Sequence, residues 1–226
     1  FDGTIVSTVS ANPTAGFSII NWSSPVSNGS TIGHGLSSTP ELLILKSRTS
    51  TSAWGVFAPS ILDNKYLYLD NTGTATSASY KPTLSSTVMT VPAYTYYFGG
   101  PSNSGTNNCY AFHSVEGYSK IGSYTGNGNA NGTFVYTGFK PVYVIIRRYN
   151  TSGSWLIYDD ARAPTNSVGN ILYADTTAAE NSATNRMDFV SNGIKLRTTD
   201  ASHNANNSTY IYMAFAENPF KNSTAR

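Results

Sequence analysis

The stretch Thr39-Pro40-Glu41-Leu42-Leu43-Ile44-Leu45-Lys46-Ser47-Arg48 returns one module later as Lys140-Pro141-Val142-Tyr143-Val144-Ile145-Ile146-Arg147-Arg148, and this pair decides the fold. Each copy opens on a proline, runs through an unbroken apolar segment and ends on basic residues. An apolar run this short, without helical spacing, suits a strand covered on both faces. Proline at its entrance costs no ladder hydrogen bond. Working outward, the register holds. Gly16-Phe17-Ser18-Ile19-Ile20 matches Gly117-Tyr118-Ser119-Lys120-Ile121, and Trp54-Gly55-Val56-Phe57 matches Trp155-Leu156-Ile157-Tyr158. Tyr66-Leu67-Tyr68-Leu69-Asp70 falls opposite Ile171-Leu172-Tyr173-Ala174-Asp175, and Tyr110-Ala111-Phe112-His113 opposite Met213-Ala214-Phe215-Ala216. Segments recurring in one order at near-constant spacing are the signature of an internal duplication.

The expected organisation is therefore repeat 1 over 16–116 and repeat 2 over 117–226. Residues 1–15 stand outside the repeat, and Ile5-Val6-Ser7-Thr8-Val9 reads as a strand that completes a sheet or links to an upstream module. Within each half, apolar or alternating runs are separated by turn clusters such as Ser27-Asn28-Gly29-Ser30, Asn71-Thr72-Gly73 and Ser191-Asn192-Gly193. Asn and Gly accept the positive φ that tight turns require. Ile194-Lys195-Leu196-Arg197 alternates, which places Lys195 and Arg197 on a solvent face. The spacing predicts about seven or eight strands per half. The fold class is thus all-β, with two tandem, duplicated antiparallel β-sandwich modules of jelly-roll type. Ala161 to Ala163 is the only helical candidate. Residues that match across the copies, such as Pro40 with Pro141, Trp54 with Trp155 and Asp70 with Asp175, read as scaffold. Function is expected where the copies disagree, at Tyr94 to Asn108 and Asp200 to Ser208.

Charged residues make up 12% of the 226-residue chain and aromatic residues 13%. A charged fraction near half the usual one leaves a surface of Ser, Thr, Asn and Gly. The formal net charge of +2 is scattered, with no basic cluster longer than Arg147-Arg148. That pattern argues against a nucleic-acid partner. No apolar run approaches the roughly twenty residues that a membrane helix needs. The single cysteine, Cys109, excludes an intrachain disulfide and a Cys-based zinc site, and reads as a small buried residue on a strand.

Of the three histidines, His34 lies in a glycine-flanked turn, His113 on a closing strand and His203 in a polar loop. No nucleophile elbow, His-Glu-x-x-His pair, phosphate-cradling loop or calcium loop is present. Asp159 and Asp160 are neighbours, so a strand sends them to opposite faces, and no spacing selects a glycosidase pair. The expectation is a protein that is not an enzyme and holds no cofactor or metal. Tyr and Trp supply rigid contact area with a polar handle. Trp22, Tyr94, Tyr96 and Tyr97 have no aromatic counterpart in the other copy and are the candidate recognition residues.

Four segments carry a family resemblance: Ala15-Gly16-Phe17-Ser18-Ile19; Gly33-His34-Gly35-Leu36 with Pro40; Glu116-Gly117-Tyr118-Ser119-Lys120 with Gly122-Ser123-Tyr124-Thr125-Gly126-Asn127-Gly128; and Ala216-Glu217-Asn218-Pro219-Phe220-Lys221 with Ala225-Arg226. Together they resemble a family of bacteriophage virion proteins whose shared domain has no assigned function, and in which this region often follows a concanavalin-like sandwich. The resemblance covers nearly the whole chain and carries no site residues. It implies a structural protein on the particle surface, as tail fibre, head fibre or capsid decoration. Expected partners are other virion proteins, further copies of itself as a homo-oligomer, and a host surface glycan. The rival readings are a carbohydrate-binding receptor-recognition module and a glycan depolymerase.

Overall fold

The computed structural model describes residues 2–24, 26–78, 81–92 and 105–217. Its chain divides into two compact units, one of residues 1–69 and 75–113, the other of residues 70–74 and 114–226. Both are antiparallel β structures, as the alternating and continuous apolar runs require.

The first unit contains β1 (Ser7–Asn12), β2 (Phe17–Ser24), β3 (Thr31–Gly33), β4 (Leu42–Ser47), β5 (Gly55–Phe57), the short helix α1 (Pro59–Leu62), β6 (Lys65–Tyr68), β7 (Thr76–Ser77), β8 (Thr83–Leu84), β9 (Val88–Thr90) and β10 (Gly105–Phe112). Seven strands form one sheet in the order β1-β2-β10-β4-β5-β6-β7, and three form another in the order β3-β9-β8. The second unit contains β11 (Ser119–Thr125), β12 (Phe134–Tyr136), β13 (Pro141–Arg148), β14 (Leu156–Asp159), β15 (Val168–Tyr173), β16 (Asn181–Val190), β17 (Gly193–Leu196), α2 (Ala201–Asn204) and β18 (Thr209–Ala216). Its eight strands run β11-β18-β13-β14-β15-β16-β17-β12.

The two orders are the same path traced twice. β10 lies between β2 and β4 as β18 lies between β11 and β13, and β3 pairs β9 as β12 pairs β17. The units differ at one strand. β16 runs unbroken and ties its whole unit into a single sheet, whereas the corresponding stretch of the first unit is split into β7 and β8 around Lys81-Pro82. Proline lacks the N–H that a continuous ladder would use there. β1 pairs with β2 over six residues, so the strand expected near the start completes the first unit's sheet.

The quoted stretch is central in both units. β4 sits between β10 and β5, and β13 between β18 and β14. Leu43 and Leu45 point into the first core with Ile20, Trp22, Met89 and Cys109; Val144 and Ile146 point into the second with Tyr158, Met187, Leu196 and Tyr210. Each such side chain contributes roughly 1.5–3 kcal/mol by leaving water. The tight turns before β2 and β11 rest on Gly16 (φ 66) and Gly117 (φ 77), equivalent residues in the same left-handed conformation. Helical turns occur at Pro59–Leu62 and Ala201–Asn204, not at Ala161 to Ala163, which forms a turn. Pro59 opens α1 because its fixed φ suits a first helical position, and the Asp200 side chain caps α2 by accepting from the Ser202 N–H.

Candidate functional site

The recognition residues read from the sequence divide in two. Trp22 lies on β2 at 3% exposure in the first unit's core, so it is a packing residue and forms no surface platform. It faces inward because it shares the core side of β2 with Ile20, two residues away, and alternate residues of a strand point to one face. Tyr94, Tyr96 and Tyr97 lie outside the described residues. Of the disagreeing segments, Gly105–Asn108 opens β10 with Asn107 buried, and Asp200 to Ser208 turns His203, Asn204 and Ser208 inward while Ala201, Ser202, Asn206 and Asn207 stay exposed.

That second segment carries a connected polar cluster. His203 is 1% exposed, and its Nδ1 donates to the Asp200 carboxylate at 3.2 Å. Its Nε2 is thereby the acceptor and takes the hydroxyl hydrogen of Tyr158, a residue fully enclosed on β14. Asp200 also faces Arg186 at 2.8 Å. The His203 carbonyl accepts from the Tyr124 hydroxyl at 2.8 Å, and the Ala201 carbonyl from Tyr210 at 2.7 Å. Asn204, also enclosed, holds the loop before β12 by donating to Asn127 Oδ1 and the Asn129 carbonyl, both at 2.8 Å. Gly126 leaves room for this approach, since a Cβ there would stand 2.3 Å from the Ala205 carbonyl oxygen.

Asp200, His203 and Tyr158 have the order of a proton relay, but its hydroxyl end is sealed in the core. Burial drives the Tyr158 hydroxyl well above its ordinary range and holds His203 below 6.5. The hydrogen bond from His203, with the Ser202 N–H and Arg186, holds Asp200 well below the usual carboxylate range. The arrangement fixes α2 against the sheet. Phe57 stands at the equivalent place in the first unit, so the network belongs to one copy only.

His34 is fully buried and accepts from the Leu36 N–H at Nδ1 (3.1 Å), which leaves Nε2–H to donate to the Ser85 carbonyl (3.1 Å). Burial lowers its pKa. Thr137 repeats the motif by accepting from the Phe139 N–H. Several acids are committed to arginines: Asp159 and Glu180 to Arg162 at 2.6 and 2.8 Å, and Asp188 to Arg197 at 2.5 Å. No group of three or more His, Cys, Asp or Glu side chains suited to a metal ion occurs among the described residues. No helix among them is long and apolar enough to cross a membrane.

A second repeated cluster surrounds the quoted stretch. Arg147, at 0% exposure, lies over the Trp155 ring at 5.6 Å and donates to the carbonyls of Asn71 (2.7 Å) and Gly73, in the 70–74 segment that belongs to this unit. Asp175 Oδ2 stands 3.9 Å away, an ion pair across a gap rather than a hydrogen bond. Burial lowers the guanidinium to about 10, with Asp175 opposing, so it stays charged at neutral pH. In the first unit Lys46 takes the place of Arg147, over Trp54 at 6.0 Å. Sequence reading found both tryptophans and both aspartates but missed the basic partners, although Lys46 and Arg147 end the matched apolar runs.

Among the described residues, the large exposed aromatic side chains lie on β12. Phe134 (46%) and Tyr136 (65%) project from one face of this edge strand, opposite Lys195 and Gly193 of β17. Phe134 lies over Gly193, where a Cβ would come within 3.0 Å of its ring. Lys195 is in turn opposite Asp188 of β16, which carries the Arg197 ion pair. The result is two accessible rings beside a flat glycine and a row of charged groups, a surface suited to the apolar face and hydroxyls of a sugar. The alternation of Phe134-Val135-Tyr136 was the available signal.

The fold and these clusters define a duplicated antiparallel β-sandwich protein with histidines built into its scaffold. The chain belongs to the family of the domain of unknown function DUF7483, which it matches over residues 1–219. No curated protein and no solved structure matches it.

Proposed function

We propose that the protein is a non-enzymatic structural component on the surface of a tailed-phage particle, of the tail-fibre, head-fibre or capsid-decoration kind. The carrying observation is the use made of its reactive side chains. His34 and His203 are buried and tied into backbone and core networks, and Asp200, the acid beside His203, is committed to Arg186 and to the α2 cap. What faces solvent is poor in charge and rich in hydroxyl and amide groups, which suits a shell or fibre module. The family resemblance supports the particle location. Mass spectrometry and antibody labelling of purified particles test it: the chain is expected at stoichiometric copy number on the outer surface. Its absence from purified particles sinks the reading, as does release of reducing sugar from host capsular glycan by the isolated protein.

The β12 face favours a second reading, a module that binds host surface glycans. Phe134→Ala with Tyr136→Ala is expected to abolish glycan-array binding without changing the melting temperature. An array on which the unaltered protein binds nothing removes that reading.

A further inference from the structure

We propose that the loop Thr176–Ala178 of one copy seats on the Lys46–Trp54 cluster of a second copy, building a head-to-tail assembly. The template is in the second unit. There Asn71, Thr72 and Gly73 form a plug of three backbone carbonyls: Asn71 and Gly73 accept from Arg147, and Thr72 accepts from the Gly153 N–H at 3.0 Å. The plug is shaped by the Asn71 side chain, which accepts from the Gly73 N–H at 2.9 Å. Its socket is a cation on β13 lying over the tryptophan that directly precedes β14, and it leaves Arg147 at 0% and Trp155 at 3% exposure.

Both parts recur one repeat away. The socket recurs as Lys46 over Trp54, with Ser52 at the place of Gly153. Here the cation and the ring are only half-buried, and Lys46 donates to the Ser52 carbonyl of its own loop. The plug recurs after Asp175, the equivalent of Asp70. Thr176 Oγ1 accepts from the Ala178 N–H at 3.3 Å, the same side-chain turn that shapes residues 71–73. The strand that follows begins in the same register, since Asn181 and Ser182 meet Ile171 and Asn170 as Thr76 and Ser77 meet Tyr66 and Lys65. Thr176 to Ala179 are exposed.

The ammonium of Lys46 has donors beyond the one given to Ser52. The Thr176 and Ala178 carbonyls present it with the pattern that Arg147 meets in Asn71 and Gly73. A second copy is the occupant because the plug that fits this socket is a segment of this same chain. Plug and socket are different surfaces, so each copy offers one of each and the contact propagates as a ring or a filament.

Analytical ultracentrifugation of the 226-residue chain over a range of concentrations reads the assembly. The expected result is a concentration-dependent rise above the monomer mass. Ala178→Arg, in an exposed loop, returns the chain to monomer with an unchanged melting temperature. Lys46→Arg strengthens association by about tenfold, since a planar guanidinium holds both carbonyls in the fixed fork that Arg147 uses, where the ammonium, already shared with Ser52, holds them less well. Thr51 is exposed beside Ser52 of the socket, so mixing a Thr51→Cys chain with an Ala178→Cys chain gives a mixed disulfide under oxidation, with the native Cys109 buried out of reach. A chain that stays monomeric, association that ignores Ala178→Arg, or a cysteine pair that never crosslinks overturns the proposal.

Discussion

At the residue scale, the buried polar groups set how stability responds to mutation and pH. Tyr158→Phe removes the hydroxyl that faces His203 Nε2 and leaves a buried acceptor unmet, so a loss of about 1–3 kcal/mol is expected in urea unfolding. His34 and His203 are held neutral, with folded values below the 6.5 of an unfolded histidine. As pH falls through 6.5 the unfolded chain takes up protons that the fold refuses, so stability declines from pH 7 toward pH 5. Asp200 contributes in another window. Its carboxyl is depressed in the fold, so its contribution is present above the unfolded value of 3.8 and lost below it. A urea midpoint that stays flat between pH 7.5 and pH 5 contradicts the histidine assignment, and a His34→Gln chain is expected to lose part of the slope. Cys109 is enclosed on β10 and burial pushes its thiol far up, so a thiol reagent is expected to label it only after unfolding.

At the element scale, β13 bears the heaviest electrostatic commitment. Arg147→Met leaves Asp175 and two carbonyls without their cation in a dry site, and a loss of about 3–5 kcal/mol is expected in denaturant unfolding. The same change at the exposed end of an ordinary strand would cost little. The meeting of β11 with the α2 loop depends on Gly126. Gly126→Ala places a methyl against the Ala205 carbonyl and is expected to cost more than about 1 kcal/mol, read as a lower melting temperature. These elements show how far the sequence carried. The apolar runs named β4 and β13 as central strands, because continuous burial leaves a continuous apolar signature. The polar composition of α2 points to a loop, because His203 and Asn204 are inside through hydrogen bonds to Asp200 and the Thr198 carbonyl, which composition does not display.

At the scale of the molecule, one path is folded twice and then put to different uses. β16 is continuous where β7 and β8 are broken, and Arg147 is enclosed where Lys46 is half-exposed. The β12 aromatics and the Lys46 cluster lie in different units, so their substitutions separate. Phe134→Ala with Tyr136→Ala is expected to leave the sedimentation behaviour intact, and Lys46→Arg to leave any glycan binding intact.

The sequence by itself determined the all-β class, the duplication and the central strands, because these follow from local periodicity and from comparing the chain with itself. It also marked Cys109 as buried, and it matched Trp54 with Trp155 and Asp70 with Asp175 across the copies. Only the tertiary structure decided which aromatic rings reach solvent. Trp22 and Phe134 both sit on strands, but Trp22 is on the core face of β2, while Phe134 is on the outer face of β12, where only Val135 turns inward. The same holds for charge. Arg147 is a surface residue by composition and a core residue by circumstance, since three groups distant in sequence, Asn71, Gly73 and Asp175, gather around it only when the chain folds.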